Sequence, residues 1–329
     1  MRIVSAADVD RLLDFPRLIA ALRSAFAGAV VQPVRHHHRI ERNGEAADST
    51  LLLMPAWTDF RRKANGYAGV KIVSVSPDNA AVGLPSVLGS YLLLDGATLQ
   101  PVALVDGPSL TAWRTAAASA LAATFLARKD SATHLVIGAG AMAPFLIRAM
   151  RAVRPIRRTL IWNRSPERVE ALVTQLGEAG IAVEAAPDLD AAVAGADVVS
   201  AATLSREALV RGRFLEPGTH VDLVGAFAPD MRESDDEAVR RARVFVDTRD
   251  GALTEGGDLV QAVAAGAFEA SRVVADLFEL CRGTASGRES AGEITLFKST
   301  GAALEDLAAA VLVFESLEDQ ATASVSPSP

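Results

Sequence analysis

Thr133-His134-Leu135-Val136-Ile137-Gly138-Ala139-Gly140-Ala141-Met142-Ala143 reads as a short apolar strand that ends in a glycine-rich turn and opens into a helix. Such a turn presents bare backbone N–H groups at a helix N-terminus, where a dinucleotide's pyrophosphate can sit. Gly138 permits the tight turn. Gly140, with no Cβ, lets the phosphates approach, and Ala143 fills the third small position where helix and strand pack. Many apolar strands end in Gly-x-Gly without binding anything, so the residues downstream decide the reading.

Beyond the turn, the chain alternates between strand and helix. Strands are predicted over residues 133–138, 158–163, 181–185, 196–201, 219–224 and 243–247, with helices over 143–153, 166–178 and 188–194. The strands are nearly continuous apolar runs, a texture of parallel strands covered on both faces. The glycine turn comes directly after the first of them, as a doubly wound Rossmann-type domain requires. The second strand ends in Leu160-Ile161-Trp162-Asn163-Arg164-Ser165. NAD-selecting domains place an acidic residue here to bond the ribose hydroxyls. Arg164 beside a hydroxyl donor instead attracts a 2′-phosphate, which favours NADP(H) with NAD still possible. Arg164 also reads as a solvated loop residue before a helix that starts at Pro166, and the two readings are compatible.

Upstream the texture differs. Residues 6–30 carry Leu12, Leu13, Leu18, Ile19, Leu22 and Phe26 at helical spacing. Short β-rich runs come next at 49–54, 69–75, 90–94 and 102–105, separated by Asn43-Gly44, Pro77-Asp78-Asn79 and Asp95-Gly96. They predict a mostly antiparallel sheet. Ser109 then caps an alanine-rich helix, Leu110 to Ala127, that links two domains. A last amphipathic helix, Ala302 to Leu317, can pack back on the first domain, and the Ser/Pro-rich tail after Ser316 is expected to fray. The predicted fold is α/β. A doubly wound parallel-sheet domain over 116–301 is joined to an α+β sheet domain over 1–115 with 302–329.

Half of the 329 residues are apolar and the net charge is −7, which argues against nucleic acid as the main partner. No uncharged apolar stretch reaches about 18 residues, and the N-terminus lacks a signal peptide's apolar core, so neither a membrane partner nor export is expected. The single cysteine, Cys281, excludes an intrachain disulfide, suits a reducing cytoplasm and reads as a small core residue.

Three basic groups invite a chemical role. Lys71, in Gly69-Val70-Lys71-Ile72-Val73-Ser74-Val75, shares a strand face with Val73 and Val75. Among apolar neighbours its pKa falls and it becomes a usable acid, base or carboxylate anchor. An edge-strand lysine that blocks pairing fits the same pattern. Arg114, read in the first turns of its helix, is opposed by the helix dipole unless an anion such as a substrate carboxylate sits beside it; an ordinary surface arginine is the alternative. In Arg35-His36-His37-His38-Arg39, consecutive histidines on a strand point to alternating faces and no acidic residue joins them at ligand spacing, so no metal is expected. Arg35 or Arg39 could be a second carboxylate anchor.

Several stretches, taken in order, resemble one family. They are Leu51-Leu52-Leu53-Met54-Pro55, Gly69-Val70-Lys71, Leu110-Thr111-Ala112-Trp113-Arg114-Thr115-Ala116-Ala117 and Gly138-Ala139-Gly140. Further on come Gly225-Ala226-Phe227-Ala228-Pro229-Asp230-Met231-Arg232-Glu233 and Thr295-Leu296-Phe297-Lys298-Ser299-Thr300-Gly301. Together they resemble the ornithine cyclodeaminase/mu-crystallin family nearly end to end.

The resemblance implies a homodimer built through the sheet domain, with the active site between that domain and the nucleotide-binding one. It implies a small amino-acid or cyclic imino-acid substrate, Lys71 as catalytic lysine, and Arg114 with Arg35 as carboxylate anchors. The assigned cofactor contacts are Thr115, Gly138, Gly140, Ala141, Met142, Asn163, Arg164, Ser165 and Thr203. Cyclodeaminases of the family carry an aspartate where Phe227 stands and an acidic residue where Leu52 stands. Without those carboxylates ornithine is a poor substrate, while hydride transfer to an imine is unaffected. The expected activity is therefore NADPH-dependent reduction of cyclic ketimines or 2-imino acids. Ornithine cyclodeaminase, a lyase with bound NAD, and a non-catalytic NADP-binding protein are the alternatives.

Overall fold

The computed structural model describes residues 1–44 and 47–325. They form two compact units, Met1–Arg114 with the C-terminal segment from Ala302, and Thr115–Gly301.

In the first unit, β1 (Arg2–Val4), β2 (Val30–Val31), β3 (His36–Ile40), β4 (Ser49–Thr58), β5 (Tyr67–Val75), β6 (Val87–Asp95) and β7 (Pro101–Asp106) build one sheet. Its order is β1-β7-β6-β5-β4-β2, with β3 also on β4. Only the β1–β7 pairing is parallel. Met54, Lys71 and Tyr91 stand opposite one another on β4, β5 and β6 and so share a face. The C-terminal helix, Ala303–Val325, packs on that face. It runs well past the predicted end at Leu317, so residues 317–325 are helical where a frayed tail was expected. Residues 326–329 of that tail lie outside the described residues.

The single helix expected over 6–30 is two, α1 (Ala6–Leu12) and α2 (Phe15–Ala27). Asp14 caps α2 by accepting the Arg17 N–H, and Pro16 in its first turn cannot continue a helix from before it. The linking helix, α3 (Gly107–Leu126), starts two residues before Ser109. Its cap is Asp106, whose carboxylate accepts the Ser109 N–H at 2.8 Å, and not Ser109. Arg114 therefore lies two turns inside the helix, beyond the reach of the N-terminal dipole argument.

The second unit holds eight parallel strands: β8 (Thr133–Ile137), β9 (Arg158–Trp162), β10 (Glu184–Ala185), β11 (Val198–Ala201), β12 (His220–Leu223), β13 (Arg243–Val246), β14 (Val273–Asp276) and β15 (Thr295–Lys298). The order is β10-β9-β8-β11-β12-β15-β13-β14. β14 and β15 were not expected. β15 is four residues long with Thr295 and Lys298 at its ends, so no apolar run announces it, yet all four residues are buried. Helices α4 (Ala143–Val153), α5 (Pro166–Glu178), α6 (Leu189–Ala194), α7 (Asp236–Arg241), α8 (Arg249–Thr254), α9 (Gly257–Ala264) and α10 (Leu277–Arg282) intervene. Cys281 on α10 is half-buried rather than a core residue.

Leu135 and Ile137 join one apolar cluster with Val199, Val221 and Leu296, while Val136 between them joins another with Ala143, Ile147 and Ile161. Both faces of the sheet are thus covered, as the apolar runs imply. Each fully buried aliphatic side chain contributes about 1.5–3 kcal/mol. Within the sheet, the Ser119 and Ser200 hydroxyls donate to the two oxygens of Asp222, and His134 Nε2 bonds Ser200. The strand order reverses between β8 and β11, so their carboxyl ends open the crevice in which doubly wound sheets bind ligands.

Candidate active site

In the first unit, β5 is internal to the sheet and Lys71 is 3% exposed, which removes the edge-strand alternative. Its ammonium lies 3.0 and 2.8 Å from the two oxygens of Asp306. Arg114 Nε donates to Asp306 Oδ1 at 3.1 Å, and its Nη1 donates to Glu305 Oε2 at 2.8 Å. Both carboxylates lie fully buried in the first turn of the C-terminal helix, where the helix dipole favours anions. Gln32 fixes that turn by accepting the Leu304 N–H at 3.0 Å. The anion expected beside Arg114 is therefore supplied, at least in part, by the chain itself.

Burial, and then the neighbouring Arg114 charge, lower the Lys71 pKa to about 8; Asp306 opposes this, and Arg35 adds to it. Lys71, Arg114 and Arg35 thus share one electrostatic neighbourhood. Arg39 is placed elsewhere, exposed and ion-paired to Asp48 at the sheet's edge. His36 and His38 are exposed on β3, and no group of three or more His, Cys, Asp or Glu among the described residues is placed to hold a metal ion.

In the second unit, Gly138 has φ +110°, and a Cβ there would lie 2.7 Å from the Ala202 carbonyl oxygen. Only glycine fits. A Cβ on Gly140 would meet nothing within 4 Å, so the turn offers an open, bare backbone surface. Ala143 packs beside Val136 and Ile161 at the helix–strand contact. Asn163 ties the end of β9 to the turn, accepting the Ala139 N–H at 3.4 Å and donating to the Ser165 carbonyl at 3.2 Å. Arg164 and Ala141 are exposed, and Ser165, Met142 and Thr115 half-buried. Thr203 follows β11 at the crevice, its N–H and hydroxyl both given to Glu233. The carboxyl ends of β8, β9 and β11 therefore carry most of the assigned cofactor contacts. The open surface at Gly140 fits a dinucleotide pyrophosphate.

A model of the ornithine cyclodeaminase/mu-crystallin family matches residues 2–321. The chain belongs to that family. Among its relatives is the Delta(1)-pyrroline-2-carboxylate reductase of Colwellia psychrerythraea, 35% identical over 322 residues that cover 97% of this chain and 100% of that one. The Delta(1)-pyrroline-2-carboxylate reductase of Thermococcus litoralis, solved with NADH and L-proline, has a TM-score of 0.90 at 34% identity, over 98% of each chain. An archaeal alanine dehydrogenase dimer with bound NAD has a TM-score of 0.87 at 31% identity, over 98% of this chain and 97% of that one.

In this member of the ornithine cyclodeaminase/mu-crystallin family, sequence reading missed Glu305 and Asp306. Two acids opening an amphipathic helix look like ordinary dipole complements; only the buried face they occupy marks them. It also missed Glu233, Asp258 and Lys298, three fully buried charged residues of the second unit.

Proposed function

We propose that this protein is an NADPH-dependent reductase of cyclic ketimines or related 2-imino acids. The observation that carries the proposal is the buried Lys71 ammonium, held by Asp306 in the field of Arg114 and Arg35. That cluster of cations suits a substrate carboxylate. Arg114 and Arg35 orient that carboxylate, and Lys71 donates a proton to the imine nitrogen. Bound NADPH supplies the hydride that reduces the imine carbon. Imine, NADPH and one proton thus give amine and NADP⁺, and Lys71 regains its proton from solvent. Fixing the reacting groups in this way supplies much of the rate. Phe227, 46% exposed, cannot ionise where a diamine would need a carboxylate. The reductases among the relatives support the same chemistry.

The test is NADPH consumption with cyclic imino acids of five- and six-membered rings. Steady oxidation by the wild type is expected. Ammonia release from ornithine with no net change in cofactor absorbance would make it a cyclodeaminase instead.

The choice of NADPH rests on Arg164, exposed at the end of β9 with no acidic neighbour at Asn163. Arg164→Ala is expected to raise KM for NADPH about tenfold or more while leaving KM for NADH unchanged, since a charge-assisted bond is worth about 1.5–3 kcal/mol. Equal effects on both cofactors would remove the 2′-phosphate from the account.

We also propose a homodimer through the first unit's sheet, and a cytoplasmic location, which the single cysteine suits. Ile40, Ile72 and Leu88 are about 40% exposed on the sheet face opposite Lys71, an apolar surface to be covered. Light scattering is expected to give twice the chain mass, and Ile72→Asp to shift it toward the monomer. A monomeric wild type would contradict this. Among the described residues, no helix is long and apolar enough to cross a membrane.

A further inference from the structure

Glu233 is fully buried and its carboxylate takes four donors from two different loops. Oε1 accepts the Thr203 N–H at 2.6 Å and the Thr203 hydroxyl at 2.8 Å. Oε2 accepts the Gly225 N–H at 2.7 Å and the Ala226 N–H at 3.3 Å. Thr203 follows β11 and Gly225 follows β12, so one side chain joins the carboxyl ends of neighbouring strands beside the crevice.

The residue is itself held in place. Asp258 Oδ1 accepts the Glu233 N–H at 2.8 Å, and Asp258 pairs with Lys298 at 3.2 Å. The packing leaves no slack: a Cβ on Gly225 would lie 2.1 Å from the Thr203 carbonyl oxygen and 2.4 Å from Glu233 Oε1. On the other side, the Gly138 turn abuts Ala202, the residue before Thr203. Each tethered loop also presents a large apolar side chain to the outside of this unit, Leu204 at 71% and Phe227 at 46% exposure.

We propose that Glu233 is a positioning residue that sets both loops against the dinucleotide. This rests on the second unit being the dinucleotide-binding part of an imine reductase. A buried carboxylate that served folding alone would need donors for its oxygens, but not donors from two loops at the ligand-binding ends of the strands. Its two equivalent oxygens matter. A glutamine keeps the shape but must turn its NH2 either toward the Gly225 and Ala226 N–H groups or toward the Thr203 N–H and hydroxyl, so one loop loses an acceptor for a backbone N–H.

E233Q is expected to weaken NADPH binding, read by the cofactor's fluorescence without substrate, by about tenfold or more. It should also lower kcat/KM for the cyclic imine. E233D keeps two acceptor oxygens and should recover most of the loss. A folded E233Q protein with NADPH affinity and kcat/KM within about twofold of wild type overturns the proposal, whatever its melting temperature. Should E233Q not fold, Gly225→Ala carries the same decision, because its methyl would press on both Thr203 and Glu233 Oε1 and so breaks the tether while the carboxylate stays in the chain. Tenfold weaker binding supports the tether, and unchanged binding overturns it. A wild type that binds NADPH yet reduces no imine contradicts the proposed substrate and leaves the affinity prediction in force.

Discussion

Replacing Lys71 with methionine is expected to lower kcat for imine reduction by about 10²- to 10⁴-fold, the usual contribution of a positioned general acid, while NADPH affinity holds. Methionine fills the buried volume left by the lysine stem, so the loss reports the ammonium and not a cavity. The wild-type pH profile carries a second signature. Burial and the Arg114 charge bring the Lys71 pKa down to about 8. Below that pH the ammonium holds the proton it must donate, so the rate is level there and falls as pH rises through about 8. The limb should be absent from the residual activity of K71M. A K71M protein that turns over within a few-fold of wild type would remove Lys71 from the chemistry.

Asp306→Asn is expected to cost about 3–5 kcal/mol of stability, because it leaves Lys71 and Arg114 buried with less counter-charge. The neutral amide cannot hold the ammonium, and the factor that raises the Lys71 pKa is lost. The alkaline limb should therefore move below pH 8, and Lys71 should be less protonated at neutral pH. Urea unfolding and a pH–rate profile read the two effects separately. Full stability with a limb still near pH 8 would show that Asp306 does not govern Lys71.

The sequence showed the second unit's architecture more clearly than the first unit's chemistry. Buried parallel strands must be apolar, so β8, β9, β11, β12 and β13 announce themselves. β15 does not, because Thr295 and Lys298 are satisfied by tertiary partners: Thr295 donates to the Leu126 carbonyl, and Lys298 pairs with Asp258. Helix starts were misjudged where a cap lay outside the apolar pattern, as Asp106 and Asp14 do. Lys71 and Arg114 stood out because a cation in an apolar setting demands a reason. Their partners Glu305 and Asp306 lie roughly 190 residues or more further along and carry no local signal. Arg35 and Arg39 are alike in sequence and are told apart only by what each faces, the Lys71 neighbourhood or Asp48.

The central claim is net hydride delivery from a nicotinamide cofactor to the carbon of a cyclic imino acid. Its most direct test is turnover of Δ1-pyrroline-2-carboxylate with NADPH deuterated at the transferred position of C4, followed by mass spectrometry of the product. The account predicts proline carrying one deuterium at Cα, in proportion to cofactor oxidised. Proline formed without deuterium, or label found only in the recovered cofactor while ornithine releases ammonia, would contradict it.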